Sequence, residues 1–273
     1  MDALCQHAER NSLSGTEGEI RVFDLRIVHR PALEAETRTH GRVTMIQGDL
    51  TKPEDVLEAT KGCSLVFHVA SPDPNSPNRG LLEAVNVTGT RNVVKACRAS
   101  GVRSLVYTSS ASVVFEGADQ KGPTERIGYP SKYRDVYSET KAKAERIVRR
   151  AGCLPVLRKD KGDEEAKGAG IWLGLGQDER ERVALEQALG YGEELVDLED
   201  EDGDAEWREA NDGTLATVGV RPHGIFGSRD RVLVPSLAQQ GKAGRTKFRV
   251  GDGANVVDFT YVGNVAHGHM LAA

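Results

Sequence analysis

Ser104-Leu105-Val106-Tyr107-Thr108-Ser109-Ser110-Ala111-Ser112 is the stretch that decides the fold. Its first five residues form a short apolar run of strand formers, and the run stops on a row of small hydroxyl residues. An apolar run without polar alternation suits a strand buried on both faces. Similar runs lie on either side: Leu65 to Val69 (LVFHV), Val43 to Gln47 (VTMIQ) and Ile20 to Leu25 (IRVFDL) before it, and Ala216 to Val220 (ATVGV) after it. Helical patterns fill the intervals. Lys52 to Thr60 begins with Thr51 as N-cap and Pro53 in the first turn. Leu81 to Ala99 sets Leu82, Val85, Val93 and Cys97 near one face and stops at Gly101. Arg134 to Arg150 is a third helix. Strand and helix alternating with short joins predicts βαβ units on a parallel sheet. Right-handed crossovers then place helices on both faces. The expected class is α/β, a doubly wound parallel sheet.

The whole chain of 273 residues carries a net charge of −5, which argues against nucleic-acid binding through a general positive field. The charge is uneven. Gly152 to Thr214 holds 7 basic and 19 acidic residues, against 29 and 22 elsewhere. Like charges this dense repel and stay solvated, so 151–214 reads as an acidic, disordered insertion. Within it, Asp178 to Leu189 could form a short helix. The expected organisation is a poorly ordered 1–19, a cofactor-binding domain over 20–150 and 215–228, and the start of a substrate-binding part over 229–273. No run of 18 apolar residues exists to span a membrane, and the N-terminus lacks the apolar core of a secretory signal. Cys5, Cys63, Cys97 and Cys153 form no CxxC, which favours free thiols in a reducing, cytoplasmic compartment over zinc or a disulfide framework.

Ligands of such sheets bind beyond the carboxyl ends of the strands. There stand Asp24, Asp49, His68 to Ser71, Ser109, Ser110 and Arg221 to Gly224. The strongest local pattern is Tyr137-Ser138-Glu139-Thr140-Lys141. Residues i and i+4 share a helix face. An ammonium beside a phenol favours the phenolate and lowers its pKa from near 10. Tyr137 could then exchange a proton with a substrate hydroxyl at neutral pH. Alone the YxxxK spacing occurs on many helices. Ser109 or Ser110, on the strand end 27 or more residues upstream, supplies a hydroxyl for the same substrate oxygen. Turn formation is the plainer reading of those serines.

Asp24, ending a strand, suits the ribose hydroxyls of NAD and repels the 2′-phosphate of NADP; Arg26 softens that preference. Asp49, with Leu50 beside it, could hold the adenine amine, or simply cap a turn. Val69, Ala70 and Ser71 are small enough to let a cofactor approach the backbone. Asn86 lies mid-helix, where asparagine is a poor helix former, so a buried bonding role or plain exposure are its two readings. His68 reads as a satisfied core histidine. His223 lies nearer the nicotinamide end without the marks of a base, and His267 and His269 lack a partnered acid at metal-ligand spacing.

These residues resemble the extended short-chain dehydrogenase/reductase superfamily, a Rossmann-like fold. Within it they resemble the 3β-hydroxysteroid dehydrogenase/isomerase family, and in several segments its sterol 4α-carboxylate 3-dehydrogenase (decarboxylating) branch. The matching segments are VFHVASPDP (66–74), NVTGTRNVVKACRASGVRSLVYTSSASVVFEG (86–117), YSETKAKAE (137–145), VRPHGIFGSRD (220–230) and DFTYVGNVAHGHMLAA (258–273). The resemblance implies Tyr137 as catalytic acid/base. Lys141 would lower its pKa and bind the nicotinamide ribose. Ser110 would orient the substrate hydroxyl, with Ser109 competing for that role. Pro222 and Gly224 would shape the pocket at the carboxamide. Apart from the resemblance, Arg229 could meet a substrate carboxylate. The implied substrate is a small-molecule sterol, the implied cofactor NAD with NADP as the alternative, and the implied setting the endoplasmic reticulum membrane; the oligomeric state is left open, with a homodimer as one option.

The chain departs from that pattern in three places. No strand and glycine-rich turn precede Asp24; Asn11 to Gly18 has two glycines three apart but no strand before and no helix after. Loss of that strand would expose two neighbouring strand edges and remove the main phosphate contacts. The chain stops within the expected substrate-binding part, and the acidic block adds a long loop. The expectation is a shortened or mis-assembled reading frame. A sterol dehydrogenase, a nucleotide-sugar epimerase or reductase, and an inactive scaffold are the three functions in competition. Phe115 and Phe226 favour the first; the absent turn favours the last.

Overall fold

The structure is a computed structural model and describes residues 19–27, 42–120, 127–152, 215–228, 230, 232–247, 252, 254 and 256–273. Strand β3 (Leu65–His68), strand β4 (Ser104–Thr108) and strand β5 (Ala216–Val220) form one parallel sheet in that order, with Leu65 opposite Ser104 and Ser104 opposite Ala216. Strand β1 (Glu19–Asp24) and strand β2 (Arg42–Gln47) form a parallel pair, and β6 (Gly224–Phe226) pairs in parallel with β7 (Phe259–Tyr261). All five strands expected from the sequence are present, each within a residue of its expected ends. Among the described residues no ladder joins β1 to β3, so each has one hydrogen-bonded neighbour. The candidate turn at 11–18, Arg229 and all of the expected insertion at 151–214 but its first two residues lie outside the described residues; Ala151 is buried in the last turn of the helix over 136–151 and Gly152 is its C-cap.

Helix α1 (Pro53–Thr60) starts on Pro53, whose fixed φ suits N1, with Glu54 and Asp55 in the positive first turn. Its N-cap is Lys52, not Thr51. The Asp49 carboxylate takes the Thr51 amide at 2.9 Å and its hydroxyl at 2.8 Å, which holds Thr51 outside the helix. The helix expected over 81–99 is three pieces. Helix α2 (Arg79–Leu82) is capped by the Asn78 side chain, a π-helical turn covers Glu83–Thr88, and α3 (Gly89–Ala99) completes it. Asn86 sits inside the π-helical turn, a form of helix found mostly as short bulges and often at functional sites. Helix α4 (Val136–Ala151) starts two residues later than expected, because the Asp135 carboxylate caps it by accepting from the Ser138 amide at 2.7 Å.

Successive strand residues point to opposite faces. Val66, His68, Leu105 and Tyr107 share one face, where Val56 of α1, Val93, Val94 and Cys97 of α3, and Ala144 and Val148 of α4 complete the main core. Phe67 and Thr108 point to the other face. There helix α6 (Val262–Leu271) meets them through His269, whose ring lies 6.4 Å from that of Phe67. Helices thus lie on both faces, as the alternation predicts. Helix α5 (Leu233–Lys242) precedes α6 and buries none of its residues. No described helix is long and apolar enough to cross a membrane.

Candidate active site

Helix α4 carries Tyr137, Lys141 and Glu145 at steps of four, so one face of the helix presents all three to the sheet. Lys141 is 2% exposed. Its Nζ donates to the Thr108 carbonyl at 2.6 Å and lies 4.3 Å over the Tyr107 ring. Burial pushes its pKa down to about 7, against a smaller upward pull from the Glu145 charge. The Tyr137 phenol departs from expectation. Burial raises it above its ordinary value, outweighing the Ser71 hydroxyl bond that lowers it, and the Asp135 charge adds to the rise. The Lys141 ammonium is spent on Thr108, so it does not bring the phenol down in this arrangement.

The two candidate serines separate cleanly. Ser109 is buried, and its hydroxyl donates to the Glu145 carboxylate. Ser110 is half-buried and caps the short 3-10 turn Ala111–Val114, its Oγ 3.2 Å from the Ser112 amide and 2.9 Å from the Ser112 hydroxyl. Ser109 belongs to an ionic cluster that sequence reasoning missed. The buried Glu145 carboxylate also takes the Arg221 guanidinium through both oxygens and the Tyr129 hydroxyl at 2.7 Å. Burial alone would raise Glu145, but Arg221 and the hydroxyl donors hold it below its ordinary value. Its spacing, four residues beyond Lys141, was the available signal.

Beyond β3, Val69, Ala70 and Ser71 are exposed, which leaves the backbone there open to approach. Ser71 donates to Asn86 Oδ1 at 3.1 Å, and Asn86 Nδ2 donates to Thr140 at 3.0 Å. Asn86 is 1% exposed, so the buried bonding role holds and the exposed reading fails. His68 is a satisfied core histidine as expected: its Nε2 is 2.9 Å from the Thr90 hydroxyl, and burial pushes it down to about 3. The Pro222 carbonyl takes the Ala111 amide at 3.1 Å, which ties the end of β5 to the Ser110 turn. Gly224 lies so close to Phe259 that a Cβ would stand 3.0 Å from its ring. The imidazole of exposed His223 takes the Gly224 amide at 2.9 Å.

Asp24 and Asp49 stand at the carboxyl ends of the separate β1–β2 pair. Asp24 is exposed, with Oδ1 accepting from the Arg26 amide at 2.9 Å. Asp49 is a turn acid locally, lowered first by the Thr51 amide bond and then by the Thr51 hydroxyl. Leu50 bridges to the rest of the site: its carbonyl takes Asn92 Nδ2 at 3.0 Å, and its side chain would be 2.8 Å from a Cβ on Gly89. The site therefore gathers Ser71, Asn86, Ser110, Tyr137, Lys141 and Pro222 at the ends of β3, β4 and β5. Thr108 and His269 also belong there and left no trace in the sequence, since they meet across 161 positions.

The chain is 37% identical over 254 residues to sterol-4-alpha-carboxylate 3-dehydrogenase, decarboxylating, of Bos taurus, covering 93% of this chain and 53% of the relative. It is 34% identical over 257 residues to the enzyme of that name from Saccharomyces cerevisiae, covering 93% and 57%. The chain thus spans about half the length of these relatives. A UDP-glucuronic acid 4-epimerase from Bacillus cereus, solved with UDP-glucuronic acid and NAD, superposes with a TM-score of 0.59 at 16% identity, covering 98% of this chain and 68% of that one. A dTDP-glucose 4,6-dehydratase from Streptomyces venezuelae, solved with NAD, gives 0.58 at 17%, covering 98% and 67%. These two show the fold, Rossmann-like α/β. The profile of the 3-beta hydroxysteroid dehydrogenase/isomerase family matches residues 11–156 and 204–273, and the chain belongs to that family.

Proposed function

We propose that this chain oxidises the 3β-hydroxyl of a 4-carboxysterol, with loss of the carboxylate as CO2. The observation that carries the reading is the buried Lys141, one helical turn from Tyr137, held on the carbonyl of Thr108 at the end of β4, two residues before Ser110. The names of the relatives support the substrate class. Exposed Phe115 and Phe226 offer the apolar surface a sterol needs, at 43% and 38% exposure. The fit to NAD is supported by the open, small residues at 69–71 and by the exposed Asp24 carboxylate, an acceptor for ribose hydroxyls. Lys141 and Asn86 lie on the nicotinamide side of that arrangement, with Pro222 and Gly224 shaping its wall. Bound NAD supplies the hydride acceptor for C3.

The protein's own part is proton handling and orientation. Ser110 Oγ holds the substrate hydroxyl. Tyr137, as phenolate, takes its proton while the C3 hydrogen leaves as hydride. The product is a β-keto acid, in which the ketone accepts the carbon–carbon bonding pair as an enolate when CO2 leaves. Burial holds the Tyr137 phenol up while Lys141 is seated on Thr108, so the phenolate forms only once substrate and cofactor bring the Lys141 charge to bear on it. A homodimer and association with the endoplasmic reticulum membrane accompany this reading, and sedimentation and cell fractionation test them. The test of the activity is titration of the purified chain with NADH, followed by NADH production from a 4-carboxysterol. Saturable micromolar binding, weakened in Lys141→Ala, together with sterol-dependent NADH production, supports the reading. A second reading is favoured by the missing ladder between β1 and β3: an inactive scaffold, which predicts no NADH binding up to millimolar cofactor. Turnover of a nucleotide sugar, read as the epimerised sugar or as NADH consumed, with no turnover of a sterol, would assign the chain to the epimerase and reductase branch.

A further inference from the structure

Thr108 is the last residue of β4, and it is held on one side only. It pairs with Val220 of β5, whereas β3 ends at His68 opposite Tyr107. A strand end with one neighbour opens more readily than the middle of a sheet. Two side chains grip this residue from opposite faces. From the α4 face, Lys141 Nζ donates to its carbonyl at 2.6 Å. From the α6 face, His269 Nε2 lies 2.6 Å from its hydroxyl.

The hydrogen on the imidazole can be placed from its second contact. His269 Nδ1 is 2.8 Å from the Val265 carbonyl, which can only accept. Nδ1 therefore carries the proton, and Nε2 of the neutral ring accepts the Thr108 O–H. The ring is 5% exposed and rests beside Phe67, so its orientation is set by packing as well as by its two bonds. We propose that His269 is a positioning residue for Lys141, acting through Thr108. The proposal rests on the role given to Lys141 above. It makes α6, a helix near the end of this chain, a working part of the site. Small displacements of a group that aligns reactants carry large losses, so a loose Thr108 carbonyl would be felt at Tyr137 and at Ser110, two residues on.

Competitive acetylation of the chain without cofactor, read residue by residue by mass spectrometry, tests this directly. Lys141 is compared with Lys143 on the same helix and with exposed Lys52. His269→Phe keeps a ring against Phe67 and removes the acceptor. Thr108→Val keeps the shape and removes the donor. Each is expected to raise Lys141 acetylation about fivefold, the change in open population that loss of one hydrogen bond brings, with Lys143 and Lys52 unmoved. The double variant should add nothing to either single one. His269→Gln, which restores an acceptor, should return Lys141 toward its wild-type rate. An unchanged Lys141, or a rise shared with Lys143, overturns the proposal. If His269→Phe does not fold, Thr108→Val decides alone, because it leaves the His269 ring in place. Failure of the wild-type chain to bind NADH would sink the sterol reading and leave this measurement readable.

Discussion

Replacing Lys141 with methionine should make the protein more stable at neutral pH. The ammonium is 2% exposed and has one carbonyl and one ring as partners. Its pKa falls from 10.5 to about 7. Each unit corresponds to about 1.4 kcal/mol, so carrying the charge costs on the order of 4 kcal/mol near pH 7. Methionine has a similar volume and loses the Thr108 bond, which gives back about 1–3 kcal/mol. The net expectation is a gain of about 2 kcal/mol. The pH dependence has a definite sign. Between about pH 7 and pH 10.5 the unfolded chain binds this proton and the folded chain does not, so wild-type stability rises with pH in that window. From about pH 7.5 to about pH 9 the wild type should gain about 2 kcal/mol on the variant. The comparison must be made as a difference, because the buried Cys97 thiol and Tyr129 phenol, each pushed up to about 12, titrate in the opposite sense in both proteins. Urea unfolding followed by far-UV circular dichroism is the assay. A pH-independent difference between the two proteins, or a variant less stable at pH 7, would refute the reasoning.

Three further outcomes follow from the same geometry. Ser110→Ala should lower turnover about a hundredfold and cost about 1 kcal/mol through loss of the Ser112 cap, whereas Ser109→Ala should cost about 1–3 kcal/mol of stability by leaving Glu145 short of a donor and spare turnover; steady-state kinetics and urea melts on both variants separate them. Glu145→Ala should destabilise by about 3–5 kcal/mol, because it strands the Arg221 guanidinium, and Glu145→Met with Arg221→Met should recover part of that loss in the same melts. His68, at about 3 when folded, lets the unfolded chain take up a proton first as pH falls below about 6.5. Lys141, at about 7, adds a loss in the same window to both proteins, so between about pH 7.5 and pH 5.5 the wild type should lose about 1.4 kcal/mol more than His68→Gln, as acid-side unfolding titrations will show.

Much of the fold is legible along the chain because strands buried on both faces must be apolar throughout, and the joins between strand and helix are short. SLVYT and ATVGV appear as β4 and β5 without a shift of one residue. The helix over 79–99 was legible as a helix but not as a broken one. Its π-helical turn accompanies Asn86 bonding to Thr140 and Ser71, both far away in sequence. The same limit explains Thr51. Its capping chemistry was plain, but the Asp49 carboxylate competes for its amide, and only the folded turn shows which partner wins. Tyr137 and Lys141 were readable from a spacing of four. Their protonation was not, because burial depends on what packs over them.

The sequence by itself determined the parallel α/β architecture, the family, and the tyrosine, lysine and serine gathered at the strand ends. Those follow from local periodicity and short motifs, which need no distant partner. The tertiary structure alone decided that Ser109 donates to Glu145 while Ser110 caps the Ser112 turn, that Lys141 seats on Thr108, and that His269 holds Thr108 from the opposite face. Each of these is a hydrogen bond whose worth depends on exclusion from water, and that exclusion exists only once α4 and α6 have closed on the two faces of the sheet.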